Sequence, residues 1–142
     1  AAGAVSAGQV TAGQLIVEDN AEPHCVAATV VSATNSTQAI TYELWTYDTI
    51  SLTDAEIEEA IEDALTTAIA ALKIAGDVIP PATSGFLYTK WIEAQILNAV
   101  APYGFKLTLT TPAADVALTL NVSTAQVVAL GTITPTIHQV TP

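Results

Sequence analysis

His24 and Cys25, with Glu22 two residues before the histidine, are the side chains most capable of chemistry in this 142-residue chain. Thiolate and imidazole groups can bind zinc or act as nucleophile and base. A zinc site needs three or four converging ligands, however, and a catalytic cysteine needs a base oriented by a third group. Because neighbouring residues of a strand point to opposite faces, His24 and Cys25 cannot both reach one atom. The sequence therefore favours a buried cysteine beside a loop histidine, and we expect no metal, no cofactor and no catalytic activity.

The acidic run "EIEEAIED" is a second candidate site. A calcium-binding loop alternates oxygen ligands around a glycine turn, whereas this run has helical spacing. Glu58 and Glu62 lie four residues apart, where like charges repel. Two interpretations stay open: the run is a solvated helix face, or it is a docking surface for a basic partner. The residues of that possible partner-docking surface are Glu58, Glu59, Glu62 and Asp63.

The charge of the chain excludes two classes of partner. It contains 3 Lys, no Arg and 14 Asp and Glu residues, for a formal net charge of -11. Nucleic acids and anionic membranes are both bound through Lys and Arg, so we expect neither as a partner. No apolar run approaches the roughly eighteen residues of a membrane span, so the sequence reads as soluble. It has no Met, which favours a fragment or processed product.

The first half of the sequence predicts a linker followed by strands. Residues 1–10 are small and read as a linker, and residues 11–142 as a single α+β domain. The runs "TAGQLIVED" and "HCVAATVVS" are rich in β-branched residues and predict two strands, and "ATNST" predicts a turn. In "QAITYELWTYD", Ile40, Tyr42 and Leu44 alternate with polar residues, which predicts a third strand.

The second half predicts two helices and then further strands. Thr53 and Glu56 form a capping box, and an apolar stripe follows, made of Ile57, Ile61, Leu65, Ile69 and Leu72. A second helix begins near Thr89, with Trp91 or Ile92, Ile96 and Val100 facing inward, and ends before Pro102 and Gly104. "FKLTLTT" predicts a strand with Phe105, Leu107 and Leu109 inward, and Pro135 suggests a sheet edge. The fold class is therefore α+β, with two consecutive helices packed on one face of a mixed or antiparallel sheet.

Aromatic residues offer one alternative binding function. They gather near the third strand and the second helix, at Trp45, Tyr47, Phe86, Tyr88 and Trp91. We expect them to pack in the core and against the helices. Joint exposure of Trp45, Tyr47 and Trp91 would instead favour a platform for glycan or peptide. His138, near the end of the sequence, is expected to be solvated.

The succession of elements from about residue 50 to residue 137 resembles the C-terminal region of the baseplate J-like proteins of contractile phage tails. In that family a capped helix precedes a proline loop, a hydroxyl-capped helix, a glycine turn, a strand, a "SPAAD"-like loop, a strand and a final "LGT" strand. The features stand here at Thr89 with Trp91 and Ile92, at Gly104, at 112–115 and at 130–132. The segment "TAGQLIVEDNAEPHCVAATVV" is similar, more loosely, to the family's paired strands around a proline loop.

The resemblance implies a structural component of the tail baseplate that acts in tail assembly and anchors neighbouring baseplate and fibre proteins. It implies a place in the virion, with the protein soluble in the host cytoplasm before assembly, and oligomers only in the assembled tail. Two other functions stay open: a secreted or surface module that binds glycan or peptide through exposed aromatic residues, and a small hydrolase, which would need a concave site with converging titratable groups.

Overall fold

The computed structural model describes residues 7–21, 30, 32–76, 85–121 and 124–142. Three α-helices lie in these ranges: α1 (Ala7–Ala21), α2 (Asp54–Ala70) and α3 (Thr89–Ala99). A short 3-10 helix, Asp48–Ile50, precedes α2. The strands are β1 (Ala33–Tyr47), β2 (Gly85–Leu87), β3 (Gly104–Thr111), β4 (Val116–Leu118) and β5 (Ala125–Val140).

The main sheet has three strands in the order β3-β1-β5. Strand β1 is antiparallel to β3 and parallel to β5, so the sheet is mixed. Strands β2 and β4 form a separate antiparallel pair. The parallel strands β1 and β5 are far apart in sequence, and helices α2 and α3 lie between them along the chain. The predicted α+β class is confirmed.

One face of the main sheet carries the core. On β1, Ile40, Tyr42 and Leu44 are buried, while the alternating residues between them are not. Ile57, Ile61, Leu65 and Ile69 of α2, and Ile92 and Ile96 of α3, belong to the same buried cluster. Both helices therefore pack on the inward side of β1, as predicted from the helical and strand periodicities.

Helix α2 begins with the predicted capping box. The backbone N of Thr53 donates to Glu56 Oε2 at 2.8 Å, and the backbone N of Glu56 donates to Thr53 Oγ1 at 3.3 Å. The Glu56 carboxylate accepts from the backbone N of Thr53 and also from Thr53 Oγ1, and these two bonds, of which the backbone bond has the larger effect, hold the pKa of Glu56 below its usual value. The box satisfies backbone donors that have no partner within the helix, so it fixes where α2 starts.

Helix α3 also lies where the sequence predicts it. Ile92, Ile96 and Val100 are buried. Trp91 is only partly buried, although it packs against the same cluster. Of the two predicted inward residues, Ile92 is therefore the one that points into the core.

Four predictions in the first half are wrong or fall wholly or partly outside the described residues. The segment "TAGQLIVED" lies in α1 and is not a strand, and residues 7–10, assigned to the linker, are helical. Val10, Gly13, Gln14 and Val17 are the less exposed residues, and this helical spacing outweighs the β-branched content. "ATNST" is the first part of β1 and not a turn, because residues 33–37 pair with β5. "HCVAATVVS" lies almost wholly outside the described residues, as do residues 1–6.

The predicted inward position of Phe105 is also wrong. Lys106 pairs with Trp45 and Gly104 pairs with Thr46, so Phe105 is an extra residue in β3. Such a β-bulge interrupts the alternation of side chains. Phe105 is 47% exposed, and its ring stacks on Tyr47 at 4.5 Å between centroids. Leu107 and Leu109 are inward but only partly buried.

The loop after α2 contains a strand that the sequence did not reveal. β2 begins at Gly85, where a Cβ would overlap the carbonyl oxygen of Ala75. Gly76 has a φ of +67°, which glycine adopts more readily than other residues. The missing Cβ atoms of these two glycines allow β2 to lie against residues 75 and 76, which follow α2.

Replacing Ile61 or Leu65 by Ala should lower the free energy of unfolding by about 2 to 5 kcal/mol, because each side chain is fully buried. Denaturant unfolding measures the loss, and Thr66→Ala on the exposed face of α2 is the control. Losses below about 0.5 kcal/mol at both buried positions would contradict the observed packing of α2.

Candidate partner-docking surfaces

The acidic surface of α2 is formed by Glu58, Glu59, Glu62 and Asp63, all of them exposed. Their positions follow from the capping box and the inward stripe, which turn these residues toward solvent. Lys90 pairs with Glu93 at 2.6 Å, and Lys106 lies over the Trp45 ring, so neither of these lysines neutralises the surface. The surface thus concentrates negative charge that a basic partner would complement.

The negative charge of this surface affects the ionisation of a tyrosine in the core beneath it. The hydroxyl of Tyr42 is buried and has no hydrogen-bond partner within the described ranges. Burial raises the pKa of Tyr42, and the negative charges of Glu58 and Glu62 raise it further. The neutral phenol is therefore strongly favoured, and the hydroxyl is a buried polar group without compensation.

The outer face of the main sheet is the face opposite α2 and α3. Cross-strand pairing arranges its side chains in rows. One row is Thr134, Thr41 and Thr111, and the next is Thr136, Glu43 and Thr108. A third row is His138, Trp45 and Lys106, beside the stacked pair of Tyr47 and Phe105.

Trp45 is held between two neighbours in its row. The His138 ring stacks on it at 4.8 Å between centroids with an interplanar angle of 24°. The Nζ atom of Lys106 lies 3.9 Å from the centre of the Trp45 ring. His138 comes from β5 and Lys106 from β3, on opposite sides of β1, so both ring faces are contacted. His138 is exposed, as predicted, but its ring is in contact with Trp45.

The aromatic residues do not form one exposed platform. Trp45 and Tyr47 lie on the outer face, whereas Trp91 packs against the core on the helix side. Stacking on a sugar ring uses an open aromatic face, and on the outer face the rings stack on each other across strands. Phe86 and Tyr88 contact each other at 5.8 Å between centroids around β2.

Asp115 has a role that the sequence did not reveal. Its Oδ1 accepts from the backbone N of Thr89 at 2.7 Å and from Thr89 Oγ1 at 2.9 Å. The loop after β3 thereby caps the start of α3. Both bonds lower the pKa of Asp115, and the bond from the backbone N of Thr89 has the larger effect. The N-cap residue of α3 is Tyr88, which makes no side-chain capping bond, so the start of this helix needs a partner from elsewhere in the chain.

The remaining candidates give no assembled site. His24, Cys25 and Glu22 lie outside the described residues. Within the ranges that are described, no three His, Cys, Asp or Glu side chains are grouped so that they could hold a metal ion. Over the same ranges, no helix is long and apolar enough to cross a membrane. Searches with this chain find no matching protein-family model and no significantly similar curated protein.

Replacing Asp115 by Asn should lower the melting temperature at neutral pH, because the charge that strengthens both hydrogen bonds is lost. The folded pKa lies below the ordinary value of 3.8, so the charge stabilises the fold above that value. Stabilisation is lost as the pH falls through the folded pKa, and the difference between wild type and D115N should therefore shrink between roughly pH 5 and pH 2. Thermal unfolding followed by circular dichroism measures this, with Asp63→Asn as the control. A difference that is independent of pH would contradict the role of the charge.

Replacing Tyr42 by Phe should leave the free energy of unfolding unchanged or raise it by about 1 to 2 kcal/mol, because it removes a buried hydroxyl that has no partner among the described residues. The matched control is Tyr47→Phe on the outer face. A loss above about 1 kcal/mol in Y42F alone would mean that the hydroxyl is hydrogen-bonded in solution.

Proposed function

We propose that this protein is a structural component of a contractile phage tail baseplate, where it acts in assembly and anchors neighbouring baseplate and fibre proteins. The observation that carries the proposal is the order of elements after α2. Thr89 opens α3, Gly104 opens β3, residues 112–115 join β3 to β4, and residues 130–132 lie within β5. This succession is the one on which the resemblance to baseplate J-like proteins rests.

Local structure gives two of these features a physical purpose. Asp115, which ends the "TPAAD" loop, caps α3 and ties that loop to the helix layer. At the "LGT" segment, Gln38 pairs with Leu130 and Ile40 pairs with Ile133, so β5 has an extra residue there. A Cβ on Gly131 would lie 3.0 Å from the carbonyl oxygen of Gln38, which favours glycine at the bulge. Both features therefore serve architecture, as the proposal requires.

The acidic surface of α2 is the proposed point of attachment. A structural component acts through its contact surfaces, and complementary charge favours both encounter and correct orientation. We propose that Glu58, Glu59, Glu62 and Asp63 meet a basic surface of another tail protein. On this proposal the isolated domain is monomeric or weakly associated, has no catalytic role, and is bound stably only in the tail.

The alternative, a module that binds glycan or peptide, receives less support. It calls for open aromatic faces, whereas Trp45 is contacted from both sides and Trp91 lies in the helix layer. Phe105 is 47% exposed, and its ring is stacked on Tyr47.

Reversing Glu59 and Asp63 to Lys should slow incorporation into tails while changing the free energy of unfolding by less than about 0.5 kcal/mol, because both side chains are exposed. Incorporation is measured by complementing a phage that lacks the protein and labelling purified particles with an antibody. The single variant Glu59→Lys is compared with Glu43→Lys, a matched reversal on the outer face of the sheet.

Two results would count against the proposal at different levels. Normal incorporation of E59K/D63K would show that the acidic surface of α2 is not the docking surface. Failure of the antibody to label the tail end of wild-type particles would contradict the baseplate proposal itself.

A further inference from the structure

Tyr42 places a hydroxyl in the buried cluster that α2 and α3 form on β1. The side chain is 1% exposed, and its hydroxyl has no hydrogen-bond partner within the described ranges. A buried hydroxyl without a partner destabilises the fold, and phenylalanine would fill the same space without that cost. Because nearly all buried polar groups in native proteins are paired, this exception indicates that the hydroxyl serves a purpose other than stability.

Two of the acidic residues of α2 stand on a row of the helix that continues into the core. Steps of four, three and four residues lead along this row, which consists of Glu58, Glu62, Leu65 and Ile69. Leu65 and Ile69 are buried in the same cluster as Tyr42, whereas both glutamates are exposed. The row therefore passes from the acidic surface of α2 into the cluster that contains the tyrosine.

The charges of these two glutamates act on the hydroxyl of Tyr42. Burial raises the pKa of Tyr42, and the charges of Glu58 and Glu62 raise it further, so both carboxylates lie near enough to interact with the hydroxyl. The two glutamates also repel each other, since they are four residues apart on one side of the helix. A single cation held between them would relieve this repulsion and could donate a hydrogen bond to the hydroxyl oxygen.

We infer that Glu58, Glu62 and the Tyr42 hydroxyl together bind the ammonium group of a lysine side chain on a basic partner. An ammonium group has three donors, and the site offers three acceptors, namely two carboxylates and the hydroxyl oxygen. A metal ion fits less well, because the described residues contain no group of three His, Cys, Asp or Glu side chains that could hold one. This inference rests on the proposed docking of a basic partner at α2, and it names the group by which that partner is held.

Binding at this site separates affinity from stability. The hydroxyl is closed to solvent, so a lysine reaches it only after a neighbouring side chain swings aside, a motion that exposed side chains make within nanoseconds. In the complex the hydroxyl accepts a charge-assisted hydrogen bond that it lacks in the free protein. Removing the hydroxyl should therefore weaken binding without lowering the free energy of unfolding, which a residue that only supports the fold would not do.

Titration of the full 142-residue chain with a capped tetralysine peptide tests the inference. The titration is run at about 0.02 M salt, where screening is weak. The chain has 4 tyrosines, and an NMR-active carbon label at Cζ gives each of them a resonance. The resonance that is missing in Tyr42→Phe belongs to Tyr42, and it should shift in the wild type as the peptide binds. A Tyr42 resonance that stays in place at saturation, or a peptide that does not bind, overturns the inference.

The hydroxyl is tested by a variant that changes no charge. Tyr42→Phe should weaken tetralysine binding by about threefold to tenfold, and its free energy of unfolding should not fall. Tyr47→Phe, the matched change on the outer face of the sheet, should leave the affinity unchanged. Wild-type affinity in Y42F, or an equal loss in Y47F, overturns the inference.

The two glutamates are tested against the other two acidic residues of the same helix. Glu58→Gln with Glu62→Gln should abolish the shift of the Tyr42 resonance and weaken binding. Glu59→Gln with Asp63→Asn removes the same charge from positions about 100° further round the helix, so it should weaken binding less and keep the shift. Equal losses in the two double variants overturn the inference but keep the acidic surface as a docking surface, which the incorporation of E59K/D63K into tails tests separately.

Discussion

The double pairing of β1 is the constraint on which the rest of the structure depends. It bonds to β3 along one edge and to β5 along the other, while Ile40, Tyr42, Leu44 and Thr46 are buried on its inward face. A strand in this position cannot shift by one residue without moving its apolar side chains to the outer face. The register of β1 therefore fixes where α2 and α3 pack and which residues remain outside.

Helices α2 and α3 pack on the inward face of the main sheet, and the residues of the outer face differ accordingly. The outer face has to be compatible with water, and its rows combine threonine hydroxyls, Glu43 and rings that contact each other across strands. Both edges of the sheet also carry features that discourage further strand pairing. β5 contains the bulge near Gly131 and Pro135, and β3 contains irregularities at Phe105 and between Leu109 and Thr111.

The features that could be predicted from the sequence are those that depend on residues close together in the chain. Thr53 and Glu56 are three residues apart, so the start of α2 is encoded locally, and the stripe from Ile57 to Ile69 gives its buried face. Phe105 could not be placed, because its bulge exists only in relation to Trp45 and Thr46 on another strand. Asp115 caps a helix that begins 26 residues earlier, which no local pattern indicates. In α1, the β-branched residues pointed to a strand, although their spacing along the chain fits a helix.

Hydrogen exchange of the isolated chain, at a concentration where it is monomeric, tests most directly whether β1 is the fixed element and α1 a loosely attached one. We expect the amides between Ile40 and Thr46 to exchange slowest, since their hydrogen bonds open only when the core unfolds. The amides of α1 should exchange fastest among the helices, since its described side chains are not buried. Amides in α1 that are as protected as those of β1, or amides in the middle of β1 that exchange as fast as the loop at residues 51–53, would contradict it.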